Sequence, residues 1–426
     1  MRKLTILIIL PLLFLLHSQP VLACSLYKIT LHGKTFVGCN EDAWRITPRI
    51  WFEAKNAKRK YGAAFTGSRF DGANGFAPQS GMNEVGLSFS RLASHTPIGT
   101  GKKGLMPIDN PTDLLKSILH SCRTVREVQE LISQYDRSIF MEDVFIYIEK
   151  SGKYLIVEPF STQIGSKSTY VLSNFCPSIT SQQEALSLKR YRKGVELLNL
   201  KQDTTLTFLR SLSDSMHVCR PKIGDGTLLS SIWDLNDGMV HLYFYHDYSE
   251  KKTFRLKDEL KKGDHHFSME RLFSRNSEFE HLGMYKTTKN SKALLLFMMG
   301  LSISLFCISL YFLIRFCLLI HQKKYVLFLV SILSVLVGVE VLILCTHQAI
   351  FYFEAPYEDR FSQLVSIAAY VPNLLLISIF PLLYFDFFHE KNKSWIRFDR
   401  VIFRINNIVY LVLIGFFFYW KLFFVS

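Results

Sequence analysis

Four long apolar runs occupy the last third of the chain, at residues 293–314, 325–344, 364–384 and 401–424. Each is near the ~20 residues that an α-helix needs to cross ~30 Å of hydrocarbon, so each predicts a membrane span. The earlier part of the chain is patterned in shorter pieces. Residues 24–31 and 35–38 are apolar-rich strands about the turn His32-Gly33-Lys34, which predicts a hairpin. Trp51-Phe52-Glu53-Ala54 continues that early sheet. Residues 61–80 hold four glycines and three phenylalanines without a clear period and predict a loop. Gly81 to Ser90 reads as a tight turn followed by an alternating strand.

Helical spacing follows. Asn110-Pro111-Thr112 opens a helix running to about Cys122, with Leu114, Leu115, Ile118 and Leu119 on one face. A second helix over 125–135 places Val128, Leu131 and Ile132 together. Residues 143–149 and 153–158 predict a hairpin about Lys150-Ser151-Gly152. A strand then ends at Ser173-Asn174, a helix begins at Ser187, and residues 226–235 and 239–245 form a closing hairpin. From 255 to 292 the chain turns polar and charged. The expected domains are a leader (1–23), one α/β domain (24–265), a linker (266–292) and four transmembrane helices (293–426).

Charge orients the spans. Arg315, Lys323 and Lys324 follow the first span, and His389, Lys391, Lys393 and Arg397 follow the third. Glu354, Glu358, Asp359 and Arg360 follow the second. The excess of basic residues puts the first and third loops in the cytoplasm. The α/β domain and the C-terminus are then outside. Glu340, inside the second span, is a functional candidate because ionisable groups are costly there. The net charge of +14 brings no basic stripe with interleaved aromatics, so no nucleic-acid partner is expected.

Candidate chemistry concentrates at the N-terminal end. Arg2 and Lys3 precede a short apolar core at 6–16, and Val21 and Ala23 are small residues before a cut. Cleavage after Ala23 leaves Cys24 as the first residue, with a thiol and a free α-amine. An α-amine has a pKa of about 7.7–8.0 and serves as general base for its own thiol. The same Val21-Leu22-Ala23-Cys24 also passes as a loose lipobox, in which Cys24 is lipidated and its amine acylated. An uncleaved anchor is a third option. Either would abolish this chemistry. The eight cysteines show no CxxC or zinc spacing. Cys307, Cys317 and Cys345 fall in apolar spans as packing residues, whereas Cys39, Cys122, Cys176 and Cys219 lie in the exported domain. His217, His241 and His246 are assigned to packing or surface. No helical His-x-x-x-His pair or carboxylate cluster appears, so neither metal nor cofactor is implied.

Cys24 and the following strands, with Gly38-Cys39-Asn40-Glu41-Asp42, resemble the choloylglycine hydrolase, penicillin V acylase and acyl-CoA:isopenicillin acyltransferase group of N-terminal-nucleophile hydrolases. Cys39 stands where that group often has Arg. Three further stretches match in order: Gly81-Met82-Asn83-Glu84-Val85-Gly86-Leu87, the strand ending Ser173-Asn174, and Ser187-x-x-Arg190-Tyr191. The resemblance covers about 240 of the 426 residues. It implies an α+β fold, a four-layer αββα sandwich, here followed by the four-helix transmembrane region.

The resemblance further implies catalytic roles for Cys24, Asp42, Asn174 and Arg190. Cys24 attacks, Asp42 orients its amine, Asn174 donates to the oxyanion and Arg190 steadies Cys24 and Asp42. The backbone N–H of Ala93 is a second oxyanion donor, and Asn83 is a structural turn residue near the site. Residues 61–80 would lie over the site, where Phe65, Phe70 and Phe76 favour an acyl chain. The expected partner is a small N-acyl amide of bile-salt, penicillin or N-acyl-lipid type, cleaved at its linear C–N bond without a cofactor. Acyl transfer to an amine is the alternative reaction. A non-catalytic membrane lipoprotein or binding protein is the alternative of a different class. Taken alone, Asn174 before Cys176-Pro177 is an ordinary turn residue, and Lys189-Arg190-x-Arg192 is a solvated helix face.

Overall fold

The computed structural model describes residues 24–42, 46–72, 75–94, 104–219, 222, 226–319, 325–347, 350–351, 355, 363–388 and 395–423. The expected leader (1–23) and the loop charges at 323–324, 354–360 and 389–393 lie outside the described residues. The chain divides into two compact units, Leu22–Gly283 and one that includes Met284–Ser426.

In the first unit, β1 (Ser25–Leu31) and β2 (Lys34–Asp42) form a hairpin. It turns at His32 and Gly33, both with positive φ (51° and 74°). There follow β3 (Arg49–Glu53), β4 (Ala63–Gly67), the short pair β5 (Arg69–Phe70) and β6 (Phe76–Ala77), β7 (Ser80–Asn83) and β8 (Leu87–Ala93). Helix α1 (Pro111–Ser121) starts at an Asn110 cap with Pro at the first turn, and α2 (Val125–Ile132) at a Thr124 cap. Next come β9 (Asp143–Glu149), β10 (Tyr154–Val157), β11 (Thr162–Gly165) and β12 (Thr169–Leu172). Helix α3 (Gln182–Ser187) opens with a Ser181/Glu184 capping box. After it run α4 (Lys189–Leu200), α5 (Leu206–Met216), β13 (Thr227–Asp234), β14 (Met239–Phe244), β15 (Asp247–Arg255), α6 (Leu256–Leu260), β16 (His265–Ser268), α7 (Met269–Leu272) and α8 (Ser277–Met284).

The strands make a six-stranded antiparallel sheet in the order β12-β1-β2-β13-β14-β15 and an eight-stranded one in the order β11-β10-β9-β8-β7-β4-β3-β16. Against the first sheet pack α4 and α5, where Tyr27 donates to the Leu209 carbonyl (2.6 Å) and Asn40 to that of Ser213 (2.8 Å). Against the second pack α1 and α2, whose Leu115, Ile118, Leu119, Val128 and Ile132 join Phe65, Phe89, Tyr147 and Leu155 in one apolar cluster. Between the sheets Glu41 of β2 accepts hydrogen bonds from Thr66 of β4 and Ser80 of β7.

Three segments differ from the sequence expectation. Trp51–Glu53 does not continue the early sheet, because β3 pairs with β4 and β16 in the other one. Residues 61–80 are not one loop: β4 starts within them and is buried along its whole length, which erases the alternation that marks a half-buried strand. The edge strand β16 pairs with β3, so the polar run after 265 belongs to the first unit as far as Gly283.

Among the described residues the second unit holds four helices long and apolar enough to cross a membrane: α9 (Lys292–Leu318), α10 (Tyr325–Thr346), the third made of α11 (Gln363–Ala368) and α12 (Val371–Phe388), and α13 (Arg397–Tyr419). Small polar residues let α9 and α10 approach closely: Ser302 donates to the Gly338 carbonyl (2.9 Å) and Ser309 to that of Ser331 (2.9 Å). Arg315 forks onto Asp399 at 2.8 and 2.7 Å, joining α9 to α13. Glu340 is buried, and its Oε2 meets no hydrogen-bond partner among the described residues.

Candidate active site

The β1–β2 hairpin places the site. Its pairs run from Leu31↔Lys34 to Ser25↔Asn40, so one step further sets Cys24 opposite Glu41. Ser25, Tyr27 and Asn40 all bond carbonyls of α5, which fixes that face as the helix side. Alternation then sends Cys24, Cys39 and Glu41 into the gap between the sheets and returns Asp42 to the helix side. Gly38 serves packing: the Tyr27 ring lies over it, and an added Cβ would stand 2.1 Å from that ring. Gly86, at φ 83°, lies so close to the Leu235 carbonyl that an added Cβ would stand 2.4 Å from its oxygen.

Cys24 is buried, with 5% of its surface exposed. Its Sγ is 3.6 Å from Gln79 Nε2, which also donates to the Arg91 carbonyl at 2.5 Å. The Cys24 carbonyl accepts from Ser173 Oγ at 3.2 Å. Both carboxylate oxygens of Asp42 are held: Oδ2 accepts from Arg190 Nη1 at 2.6 Å and Oδ1 from Thr227 Oγ1 at 2.5 Å. Arg190 projects from the first turn of α4 and Thr227 opens β13. Asn174 Nδ2 donates to the Ala93 carbonyl at 2.9 Å, bringing the ends of β12 and β8 together. Arg91 N–H bonds Gln79 and Ser94 N–H bonds Glu142, so alternation turns the Ala93 N–H toward the β7 side.

Burial pushes the Cys24 thiol well above its ordinary value, and the negative charges of Asp42 and Glu41 push the same way. The Asp42 backbone N–H and the Arg190 guanidinium oppose this. Burial raises Glu41 to about 7, against the Thr66 and Ser80 hydroxyls, with the Asp42 charge adding to the rise. Arg91 also feels Cys24 electrostatically and is clamped by Asp143 at 2.7 Å on both prongs. Burial and the two carboxylates therefore favour the thiol, and any attack by this sulfur would need a base to remove its proton as the bond forms.

Of the sequence candidates, Asp42 and Arg190 meet directly, Cys24 lies opposite Glu41, the residue before Asp42, and Asn174 and Ala93 meet each other. Asn83 bonds the Leu119 and Cys122 carbonyls through Nδ2 and accepts from Val85 and Leu87 N–H, which ties the β7–β8 turn to the end of α1. Phe65 is core, Phe76 packs partly buried on Trp51, and Phe70 is 60% exposed. Gln79, Thr227, Arg91 and Glu41 were not singled out from sequence. Only Glu41 had a readable signal, since a hairpin turning at 32–33 pairs residue 24 with residue 41.

No family model matches the chain, and no curated protein matches it. Among solved structures it is similar to two mutant forms of the conjugated bile acid hydrolase from Clostridium perfringens. Each is 15% identical with a TM-score of 0.44 over 60% of this chain, covering 99% and 97% of the other. It is also similar to penicillin V acylase from Agrobacterium tumefaciens, at 14% identity and a TM-score of 0.42, over 56% of this chain and 87% of that one.

Proposed function

We propose that the first unit is an N-terminal-nucleophile amidase of αββα type, tethered to a membrane by the four apolar helices and facing away from the cytoplasm. The observation that carries this reading is the hairpin end, where Cys24 is buried beside Gln79 and Asp42 is paired with Arg190 at 2.6 Å. Helices against the outer face of each sheet and hydroxyl contacts between the sheets support the layered form.

Removal of residues 1–23 gives Cys24 its α-amine. In the proposed reaction the amine takes the thiol proton as Sγ bonds the amide carbonyl carbon. Charge moves to the carbonyl oxygen, where Asn174 and the Ala93 N–H stabilise it; an Asn amide carries two N–H bonds, and one of them holds the Ala93 carbonyl. The amine then delivers the proton to the leaving nitrogen, the C–N bond breaks, and a thioester remains. Water adds to the thioester through the same base, releasing the carboxylic acid and restoring the thiol. Asp42 orients the amine, with Arg190 and Thr227 fixing its two oxygens. Substrates are small N-acyl amides; Phe70 and Phe76 offer an apolar surface for an acyl chain.

The deciding experiment is mass spectrometry of the protein's N-terminus together with an amidase assay. A mature chain beginning at an unmodified Cys24 and cleaving fatty acyl amides is expected. A lipidated Cys24, or activity unchanged in Cys24→Ala, would overturn the reading. Product carrying the acyl group on an added amine would assign acyl transfer instead of hydrolysis.

A further inference from the structure

We propose that Cys219, His246 and Glu278 bind a divalent transition metal, zinc by their ligand chemistry, which ties helix α8 to the tip of the β14–β15 hairpin. This does not depend on the amidase reading. The three residues come from separate elements. Cys219 forms the bridge to Gly226 ahead of β13, His246 sits at the hairpin tip, and Glu278 is in the first turn of α8. One sulfur, one imidazole nitrogen and one carboxylate oxygen all lie within 4.8 Å of one another. Some point must then lie within about 2.8 Å of all three (4.8/√3). Zinc bonds of about 2.3 Å to sulfur and about 2.0–2.2 Å to nitrogen and oxygen need each donor to close in by less than about 1 Å. His246 Nε2 and Glu278 Oε2 are 3.7 Å apart, too long for a hydrogen bond. That is close to the ~3.4 Å separating two donors on one tetrahedral ion.

The imidazole is held in place by its surroundings. Tyr245 and His246 have φ of 48° and 47°, consecutive left-handed residues at a turn where glycine or asparagine is usual. The His246 ring stacks on His217 at 5.8 Å and packs against Tyr245 at 4.6 Å. His217 is oriented in turn by Asp214, 3.0 Å from its Nδ1. The donor set selects the ion. A thiolate with an imidazole disfavours calcium and magnesium, which take oxygen ligands, and suits zinc. Three protein ligands leave a fourth position for water. Binding takes the proton from the Cys219 thiol, so affinity rises with pH.

The test uses the full chain in detergent micelles, reduced and stripped of metal by chelation, in a Cys24→Ala background so that Cys24 adds no signal. Cobalt(II) is the probe. One equivalent should bind with tetrahedral visible bands and a near-ultraviolet thiolate-to-cobalt charge-transfer band, and zinc should displace it. Cys219→Ser should abolish the charge-transfer band. His246→Ala and Glu278→Gln should each weaken binding by about tenfold or more, at least the loss typical of residues that only support a ligand. Zinc should raise the Tm of the parent but not of Cys219→Ser. Absence of cobalt binding in the parent, or a charge-transfer band that survives Cys219→Ser, would overturn the proposal. Because Cys219 is exposed, its change to serine should leave the fold intact, with circular dichroism as the check.

Discussion

Cys24 and Glu41 face each other across the β1–β2 hairpin, and both side chains enter the gap between the two sheets. A buried carboxyl beside the proposed sulfur nucleophile has consequences for stability and for rate. Glu41 rises from 4.5 to about 7 on folding, chiefly by burial. Between those values the folded chain holds this proton more tightly than the unfolded one, so stability falls as pH rises through the window. The full shift amounts to about 3 kcal/mol. The Tm of Glu41→Gln should therefore exceed that of the wild type progressively from pH 5 to pH 8. A constant difference across that range would mean Glu41 keeps its ordinary acidity. With its negative charge gone, the acid limb of the amidase pH profile should move to lower pH in the same variant.

The Asp42–Arg190 pair is buried, with 1% and 16% of the side chains exposed. Removing only the cation leaves a buried charge beside the Thr227 hydroxyl, and broken buried pairs cost about 3–5 kcal/mol. Arg190→Met should lower Tm strongly, and Asp42→Asn/Arg190→Met should recover part of the loss. Asp42→Asn alone should reduce kcat far more than it changes KM, because its proposed role lies in the attack.

Asn174→Ala should reduce kcat by about 10²–10³ if its amide serves the oxyanion. Cys24→Ser should fold and be exported yet turn over amides very slowly, since a weak amine base cannot ionise a hydroxyl as readily as a thiol. Cys24→Ala should bind acyl ligands without turnover. Steady-state kinetics on a panel of fatty acyl amides checks all three.

Topology is checked by thiol labelling of single engineered cysteines in intact cells or spheroplasts. Positions between 266 and 283 should label from outside, and positions 323 and 324 only after permeabilisation, as the basic loops require. The reverse pattern would contradict the proposed orientation of the amidase.

What the sequence disclosed depended on how local each signal was. The hairpin about residues 32–34, the helix starts at Asn110 and Val125 and the four apolar helices rest on neighbours in the chain, and all appear as expected elements. Sheet membership did not follow. Alternation in Trp51–Glu53 says which residues point one way but not which sheet they join. Strand β4 lacked alternation because both its faces are buried. Gln79 and Thr227 reach the site through contacts 55 and 185 residues away in sequence, which no local pattern encodes. The Cys219, His246 and Glu278 group likewise assembles only when three distant segments converge.

Two atoms of Cys24 are already anchored by the fold: its carbonyl oxygen by Ser173 and its sulfur by Gln79. Neither anchor involves the α-nitrogen. In the proposed maturation, cutting the chain ahead of Cys24 leaves both anchors untouched and turns a peptide nitrogen with no basicity into a basic amine. In the proposed mechanism this makes export a time lock. A copy still carrying its leader would have the anchored cysteine but not its α-amine base, so the cell's own acyl amides are safe from it until the chain has been delivered and cut.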